Sequence, residues 1–106
     1  MRRSLDGLLA CSRQTGVRIG LENLPDGLEI FGLITELLGE YPPDFLGLCY
    51  DAGHGNMTPG SLELLERWKH RLVCEHLHDN TGKSDQHLLP FDGTVDWPGL
   101  MKVLGS

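Results

Sequence analysis

Three apolar segments of the sequence each end in a carboxylate or an imidazole. They end at Glu22, Asp51 and His76, and the chain between them has the residue spacing of helices. In a parallel α/β sheet the carboxyl ends of neighbouring strands meet at one edge, so we expect these three side chains to converge. Two carboxylates and an imidazole suit a hard-to-borderline divalent cation. The sequence therefore predicts a site for such an ion.

His54 is a further candidate because it follows Asp51 closely. The small residues Ala52 and Gly53 lie between the two, and they allow a sharp turn that can face the carboxylate and the imidazole toward one centre. A D-x-x-H spacing alone has low specificity, since many loops contain one. His54 is therefore a candidate site residue only in combination with the residues at the strand ends.

The segment that ends at His76 continues into a second histidine and an aspartate. Side chains alternate along a strand, so His76 and His78 should point to opposite sides. One of the two imidazoles should face the site, and the other should face a helix or a loop. We predict that His76 faces the site. Asp79 is then available to orient a ligand through a hydrogen bond.

A long polar loop over residues 78–94 contributes Asp85 and His87 as further candidate ligands. Loops of this length in compact domains are usually functional or disordered, and the alternative to a ligand loop is a solvated polar loop. Because His70 lies on a charged helical stretch, we interpret it as a surface residue. The carboxylates and imidazoles together form a mixed oxygen and nitrogen set that suits Mn²⁺, Mg²⁺, Co²⁺ or Zn²⁺.

The apolar pattern predicts the elements that must position these residues. Helical spacing occurs over residues 3–14, 28–39, 61–71 and 98–104, and strand-like runs occur at 17–22, 45–50 and 72–77. Pro25 and Gly27 mark one loop, residues 53–60 form another, and Asp96 is a candidate N-cap ahead of Pro98. This alternation predicts a parallel sheet with right-handed crossovers.

Three strands are too few to close a barrel, which needs eight. The run FLGLCY at 45–50 is continuously apolar, as expected for a strand that is covered on both faces. The two outer strands would leave exposed edges. We therefore expect either a piece of a larger barrel or a chain that covers its edges with another copy of itself.

Composition limits the classes of partner. The chain has 106 residues, 40% of them hydrophobic, which fits at most one domain of ordinary globular type. Its net charge of −6 argues against general binding to nucleic acid or to a membrane surface. No apolar run approaches the roughly 20 residues of a membrane span, and the N-terminus does not have the pattern of a signal peptide.

The three cysteines, Cys11, Cys49 and Cys74, have no paired spacing. Cys49 and Cys74 lie inside predicted strands, where we expect buried thiols that pack as small apolar groups. An odd number of cysteines without a signal peptide fits a reducing compartment, so we expect a cytoplasmic protein.

Several motifs occur together in the order found in one superfamily. ENLP follows the first strand, YDAGH the second and HLHDN the third, and DQHLLPFDGTVDW precedes the last helix. With these motifs the sequence resembles the sugar phosphate isomerase/epimerase superfamily, whose members are xylose isomerase-like TIM barrels and include the type IV apurinic endonucleases. The resemblance covers nearly the whole chain. It implies an α/β fold that forms part of a (β/α)8 barrel, with residues 1–106 as a single partial domain.

The resemblance also implies roles for the candidate residues. Glu22 would be a metal ligand and one of two acid/base carboxylates, while Asp51 and His76 would be metal ligands. His54 would contact the substrate or, in the endonuclease branch, a second metal. Asp85 and His87 match the pair that binds a further zinc in that branch.

The sequence departs from the superfamily at both ends. It begins at what resembles the fourth helix, so the first four strands and the eighth are absent, and the eighth carries the second catalytic glutamate and a fourth metal ligand. We expect a truncated gene or a partial reading frame. A partial metal site with little or no turnover, together with a homodimer or larger self-assembly, is the corresponding expectation.

Three functions remain open at this point. The first is a metal-dependent isomerase or epimerase of sugars or sugar phosphates, in which Glu22 acts as a general base. The second is a metal-dependent endonuclease of the same superfamily, against which the acidic charge counts. The third is a non-catalytic fragment that associates with itself through its open sheet edges.

Overall fold

A computed structural model describes residues 1–25 and 27–106 of the chain. Its elements alternate between helix and strand: α1 (Arg2–Thr15), β1 (Ile19–Glu22), α2 (Leu28–Glu40), β2 (Leu46–Asp51), α3 (Ala52–Asn56), α4 (Ser61–Trp68), a 3₁₀ turn (Lys69–Arg71), β3 (Leu72–His76) and α5 (Trp97–Leu104). The loop predicted around Pro25 and Gly27 includes Asp26, which lies outside the described residues. In the described ranges, no helix is long and apolar enough to span a membrane.

The three strands form one parallel sheet in the order β1-β2-β3. β2 is the central strand, and all six of its residues are buried, as the apolar run predicted. Asp51 and His76 lie level with each other, whereas Glu22 pairs with Cys49 and so ends two residues earlier along the sheet. The sheet therefore brings its three polar strand ends to one edge.

The apolar core lies between one face of the sheet and the helices. Alternate residues of β2 (Leu46, Leu48 and Tyr50) contribute to it from the sheet. α2 buries Phe31, Ile34, Leu37 and Leu38, which recur at the three-to-four spacing that places residues on one side of a helix. α1 contributes less, since Leu5 is its only fully buried apolar residue.

The opposite face of the sheet carries small residues. A Cβ built on Gly20 would lie 3.1 Å from Sγ of Cys74 and 3.2 Å from Cβ of Cys49, so these residues share one face. The pairing of β2 with β3 shifts register between Leu48 and Cys49. Val73 lies at that shift and occupies the space that a side chain on Gly47 would need. We call this surface the glycine face.

A buried arginine fastens the amino end of the sheet to α2. The Arg71 guanidinium donates to the carbonyl oxygens of Leu38, of Tyr41 at 2.9 Å and of Leu46 at 2.8 Å. The first two carbonyls belong to the end of α2, where helical carbonyls lack partners within the helix. Arg71 was predicted to lie within a helix, but that helix ends at Trp68 and a 3₁₀ turn follows.

The predicted strands and the longer helices are confirmed with shifts of one or two residues at most of their ends. Asp96 is confirmed as the N-cap of α5, because its side chain accepts from the backbone N–H of Gly99 at 3.0 Å. The prediction of a loop over residues 53–60 is wrong in its first half, where α3 forms. Asp51 caps this short helix by accepting from the backbone N–H of His54.

Candidate metal centre

Glu22, Asp51 and His76 meet at the carboxyl end of the sheet. Nδ1 of His76 lies 3.2 Å from Oε1 of Glu22 and 3.5 Å from Oδ2 of Asp51. One potential ligand atom from each residue lies within 4.8 Å of the other two. We call these three residues the first cluster. The convergence follows from the strand register, since each residue is the last of its strand.

Asn23 holds the end of β2 in place. Its side-chain Nδ2 donates to the carbonyl oxygen of Asp51 at 3.1 Å, and its Oδ1 accepts from the backbone N–H of Asp51 at 2.8 Å. Both residues are buried. The role of Asn23 was not predicted, although a polar residue directly after a strand indicates a possible contact with the neighbouring strand end.

His54 lies on α3, and a backbone carbonyl fixes the orientation of its ring. Its Nδ1 lies 2.8 Å from the carbonyl oxygen of Asn23, and because a carbonyl can only accept, Nδ1 carries a proton. Nε2 then faces Oδ2 of Asp85 at 3.3 Å. Burial lowers the pKa of His54, but the Asn23 carbonyl and the negative charges of Asp51 and Asp85 outweigh burial and raise this pKa overall.

Asp85 and His87 lie beside His54. Oδ2 of Asp85 is 3.1 Å from Nε2 of His87 as well as 3.3 Å from Nε2 of His54. Burial raises the pKa of Asp85, but its hydrogen bonds with the two imidazoles lower this pKa overall. We call His54, Asp85 and His87 the second cluster. The loop therefore carries its two candidate ligands to the same end of the sheet as the first cluster.

The prediction for His78 is wrong in part: its ring packs against Gly53 of α3 and against the loop, as predicted, but it also points into the site. Its Nε2 lies 2.9 Å from Oδ1 and 3.0 Å from Oδ2 of Asp51. Its ring also stacks on that of His87, with centroids 3.9 Å apart and planes within 3° of parallel. The physical reason is that β3 ends at His76, so the strand alternation does not extend to residue 78.

Asp79 was predicted to orient a metal ligand, and this prediction is also wrong. Its fully buried carboxylate accepts from Nε1 of Trp97 at 2.7 Å and from the backbone N–H groups of Asn80, Phe91 and Val95 at 2.8 to 3.0 Å. Burial raises the pKa of Asp79, but these hydrogen bonds to the charged form more than offset it and lower the pKa to about 2. Asp79 organises the loop rather than a ligand.

Asn80 ties the same loop to α3. Its Nδ2 donates to the carbonyl oxygen of Gly53 at 2.8 Å, and its Oδ1 accepts from Nδ2 of Asn56 at 2.9 Å. Leu89 and Phe91 project from the loop and are 73% and 77% exposed. The backbone of Phe91 has φ 78°, a conformation that non-glycine residues rarely adopt. Residues 78–94 are thus fixed by buried hydrogen bonds at their start.

Two cysteines lie next to the first cluster on the glycine face. Sγ of Cys49 is 3.7 Å from Nε2 of His76. Burial, together with contact with Cys74, raises the pKa of Cys49 to about 12, so its thiol stays protonated at neutral pH. Cys74 was predicted to be buried and is exposed, because β3 is an edge strand.

The whole chain matches the profile of one protein family. That family is the xylose isomerase-like TIM barrel, and the match covers residues 1–106. The chain belongs to this family. Membership confirms the resemblance that the sequence motifs carried, and the three parallel strands confirm the predicted partial TIM barrel.

Two curated proteins are similar to nearly the whole chain. The chain is 40% identical over 107 residues to the uncharacterized protein y4fM of Sinorhizobium fredii and 29% identical over 108 residues to an uncharacterized protein of Methanocaldococcus jannaschii. The alignments cover 98% and 95% of this chain but 34% and 37% of those proteins. The chain thus spans little more than a third of the length of these relatives.

A solved structure shares the fold. The crystal structure of a D-tagatose 3-epimerase-like protein matches this xylose isomerase-like chain with a TM-score of 0.80 and 24% identity. The match covers 97% of this chain and 41% of the other. At this level of identity the likeness shows the fold alone.

Proposed function

We propose that this chain supplies part of the active site of a metal-dependent isomerase or epimerase of sugars or sugar phosphates. The carrying observation is the convergence of Glu22, Asp51 and His76, whose potential ligand atoms lie within 4.8 Å of one another at the carboxyl end of the sheet. In TIM-barrel enzymes this end of the strands carries the active site. Membership of the xylose isomerase-like family supports the same class of reaction.

The first cluster fits a divalent cation by its chemistry. Among the residues that the structure describes, the ion-pair partners of the Glu22 and Asp51 carboxylates are imidazoles, which are neutral unless protonated. Two carboxylates side by side repel each other, and a bound cation would remove that repulsion. Mn²⁺, Co²⁺, Mg²⁺ and Zn²⁺ all accept a set of two oxygen ligands and one nitrogen ligand. Because His76 is exposed, a substrate could approach from its side.

The chain's own residues would transfer the proton and contact the substrate. A bound cation would polarise the carbonyl and hydroxyl oxygens of a sugar, which makes the adjacent C–H more acidic. Glu22 would take a proton from that carbon and return it, as a general base and acid. His54 would contact the substrate through Nε2, because its Nδ1 already donates to the Asn23 carbonyl.

Cation binding tests the proposal directly. We expect isothermal titration calorimetry with Mn²⁺ to detect binding to the wild-type chain and to lose it in Asp51→Asn. Asp44→Asn is the matched control, since Asp44 is an exposed carboxylate just before the opposite end of the same strand. The proposal fails if the wild-type chain binds no divalent cation, or if Asp44→Asn weakens binding as much as Asp51→Asn does.

Turnover is a separate measurement. The sequence resemblance implies a second acid/base carboxylate that these residues do not supply, so we expect low turnover of ketoses by the 106-residue chain even with Mn²⁺ or Co²⁺. Proton transfer requires both carboxylates within hydrogen-bonding reach of the reacting carbon. Turnover that disappears in Glu22→Gln would show that the chain is an enzyme by itself.

A second candidate function rests on Asp85. Its contacts with His54 and His87 form a further set of potential ligands, and phosphodiester-cleaving enzymes use more than one metal ion to stabilise the attacking and leaving oxygens. The net charge of −6 disfavours contact with DNA. Cleavage of an oligonucleotide with an abasic site, abolished by Asp85→Asn, would favour the endonuclease over the isomerase.

A further inference from the structure

We propose that His78 is a positioning residue that fixes Asp51 in the first cluster and His87 in the second. The inference rests on the proposed function for the cation of the first cluster and on the second candidate function for a cation in the second cluster. His78 touches both clusters. Its Nε2 lies 2.9 Å from Oδ1 of Asp51 and 3.8 Å from Oδ1 of Asp85, and its ring face contacts that of His87.

The contact with Asp51 is a hydrogen bond of defined direction. A carboxylate can only accept, so Nε2 of His78 carries the proton. This N–H lies 2.9 Å from one oxygen of Asp51 and 3.0 Å from the other. A donor shared by both oxygens holds the plane of the carboxylate and so sets the direction of its lone pairs. Asp51 is thereby oriented before any cation binds.

The contact with His87 is made by the ring faces. His87 is exposed, and Asp85 contacts one edge of its ring, with Oδ2 at 3.1 Å from Nε2. The parallel ring of the buried His78 lies against it at 3.9 Å. Nitrogen lone pairs lie in the planes of their rings, so two parallel stacked rings cannot converge on one ion. His78 therefore supports His87 rather than binding the same cation beside it.

The surroundings of His78 make an imidazole at this position unfavourable for the stability of the folded chain. With the proton on Nε2, Nδ1 is a buried acceptor, and it has no hydrogen-bond partner among residues 1–25 and 27–106. An unpaired buried acceptor is destabilising. The ring also needs glycine at position 53, since a Cβ there would overlap it. An apolar side chain would fill this space without the unpaired nitrogen, but it could not donate to Asp51.

Two substitutions separate the two contacts. His78→Gln keeps an N–H donor at the end of the side chain and removes the ring, whereas His78→Phe keeps a ring and removes the donor. Cation binding to each cluster is followed by calorimetric titration with Co²⁺. The binding steps are assigned with Asp51→Asn for the first cluster and Asp85→Asn for the second.

We expect a reciprocal result. His78→Gln should weaken the second step by about 10-fold or more and leave the first step nearly unchanged, as loss of an orienting partner does at metal sites. His78→Phe should weaken the first step and spare the second. His70→Gln, an exposed histidine outside the clusters, should change neither step. If His78→Phe does not fold, as judged by circular dichroism, the result for His78→Gln decides by itself.

Other outcomes would overturn the inference. Equal weakening of both steps in both variants would indicate a general packing role, and unchanged binding in both would remove any role for His78. A wild-type chain that binds no Co²⁺ would instead remove the proposed function, and this inference with it. The failure of the two proposals is therefore distinguishable.

Discussion

Asp51 is the residue through which the sheet, α3 and the candidate ligands are connected. Its backbone is held by Asn23, and its carboxylate accepts from the backbone of His54 and from His78. These contacts are made by the chain itself, so they restrict the carboxylate independently of any ion. Such preorganisation is what keeps a functional group within the narrow range of positions that binding requires.

Asp79 should make stability depend on pH in the acid range. Its pKa is about 2 in the folded chain, against an ordinary value of 3.8. As the pH falls below about 4, the unfolded state takes up the proton first, so stability is lost between about pH 4 and pH 2. The full loss is about 2.5 kcal/mol, from the difference in pKa at about 1.4 kcal/mol per unit, and it is complete only below about pH 2. Urea unfolding at several pH values in the presence of a chelator measures this loss.

Asp79→Asn is the control for that prediction. The variant should be less stable at neutral pH, because an amide replaces a charged acceptor of several N–H groups, and its stability should change less between pH 4 and pH 2. If the wild-type chain and the variant lose stability in parallel over this range, the stabilisation does not come from Asp79.

The sequence predicted the positions of some site residues and not of others. Glu22, Asp51 and His76 could be placed at one edge because each ends a strand, and the carboxyl ends of parallel neighbouring strands lie at the same edge of the sheet. His78 and Asp79 could not be placed, because they follow the last residue of β3. Their directions depend on hydrogen bonds with Asp51, Trp97 and the loop, and these partners are distant in sequence.

At the scale of elements, local sequence patterns identified the strands and the longer helices but not α3. Gly53 and Gly55 disfavour a helix, so the pattern indicated a loop. The helix forms because Asp51 caps its first turn and because Asn80 donates to the carbonyl of Gly53. The first contact depends on where β2 ends, and the second joins residues that are distant in sequence. The spacing of apolar residues therefore predicts neither contact.

The packing of β2 against β3 gives a prediction for Gly47. We expect Gly47→Ala to destabilise the chain by about 1–3 kcal/mol, because the new Cβ would overlap Val73 and lie 2.8 Å from the carbonyl oxygen of Arg71. Gly39→Ala in α2 is the control. A Cβ at Gly39 would meet no atom within 4 Å in the described chain, so this change should stabilise by about 0.5–1 kcal/mol. Thermal unfolding of both variants tests the contrast, and a stable Gly47→Ala variant would contradict it.

The stability of the junction between α2, β2 and the 3₁₀ turn should depend on the shape of the Arg71 side chain rather than on its charge. Arg71→Lys keeps the charge but cannot reach three carbonyl oxygens with a planar set of donors. We expect a loss of about 1–3 kcal/mol in the free energy of unfolding, from carbonyls left without partners. Arg67→Lys on the exposed side of α4 should change stability by less than about 0.5 kcal/mol. Equal effects of the two substitutions in chemical denaturation would show that the carbonyl contacts contribute little.

At the scale of the whole molecule, the 106-residue chain has a three-stranded sheet with β1 and β3 as edges. We expect the isolated chain to associate with itself, most simply as a two-fold dimer, because unpaired parallel edges and the exposed part of the glycine face favour contact with another copy. Sedimentation at several concentrations in the micromolar range measures the association. A single species with the mass of one chain would contradict it. Self-association without any cation binding would favour the non-catalytic alternative.

The fold of the whole unit was more predictable than its substrate. Motifs at the strand ends placed the chain in the right family because they lie in the family's order along the sequence. The same residues do not select a sugar, since two carboxylates and an imidazole bind a cation whichever sugar lies beside it. Substrate choice depends on side chains that contact the sugar's hydroxyl groups, and of these only His54 has a candidate role here.

The exposed aromatic ring at Phe91 has a consequence for engineering. Its left-handed backbone would suit glycine better by about 1 kcal/mol, whereas its ring lies 5.4 Å from that of Trp97, a contact that glycine would lose. Because these two effects oppose each other, Phe91→Gly should change the melting temperature little while it removes a ring that is 77% exposed. A designer who optimised this chain for production would change residue 91 early, and would then need to measure whether ligand binding survives the change.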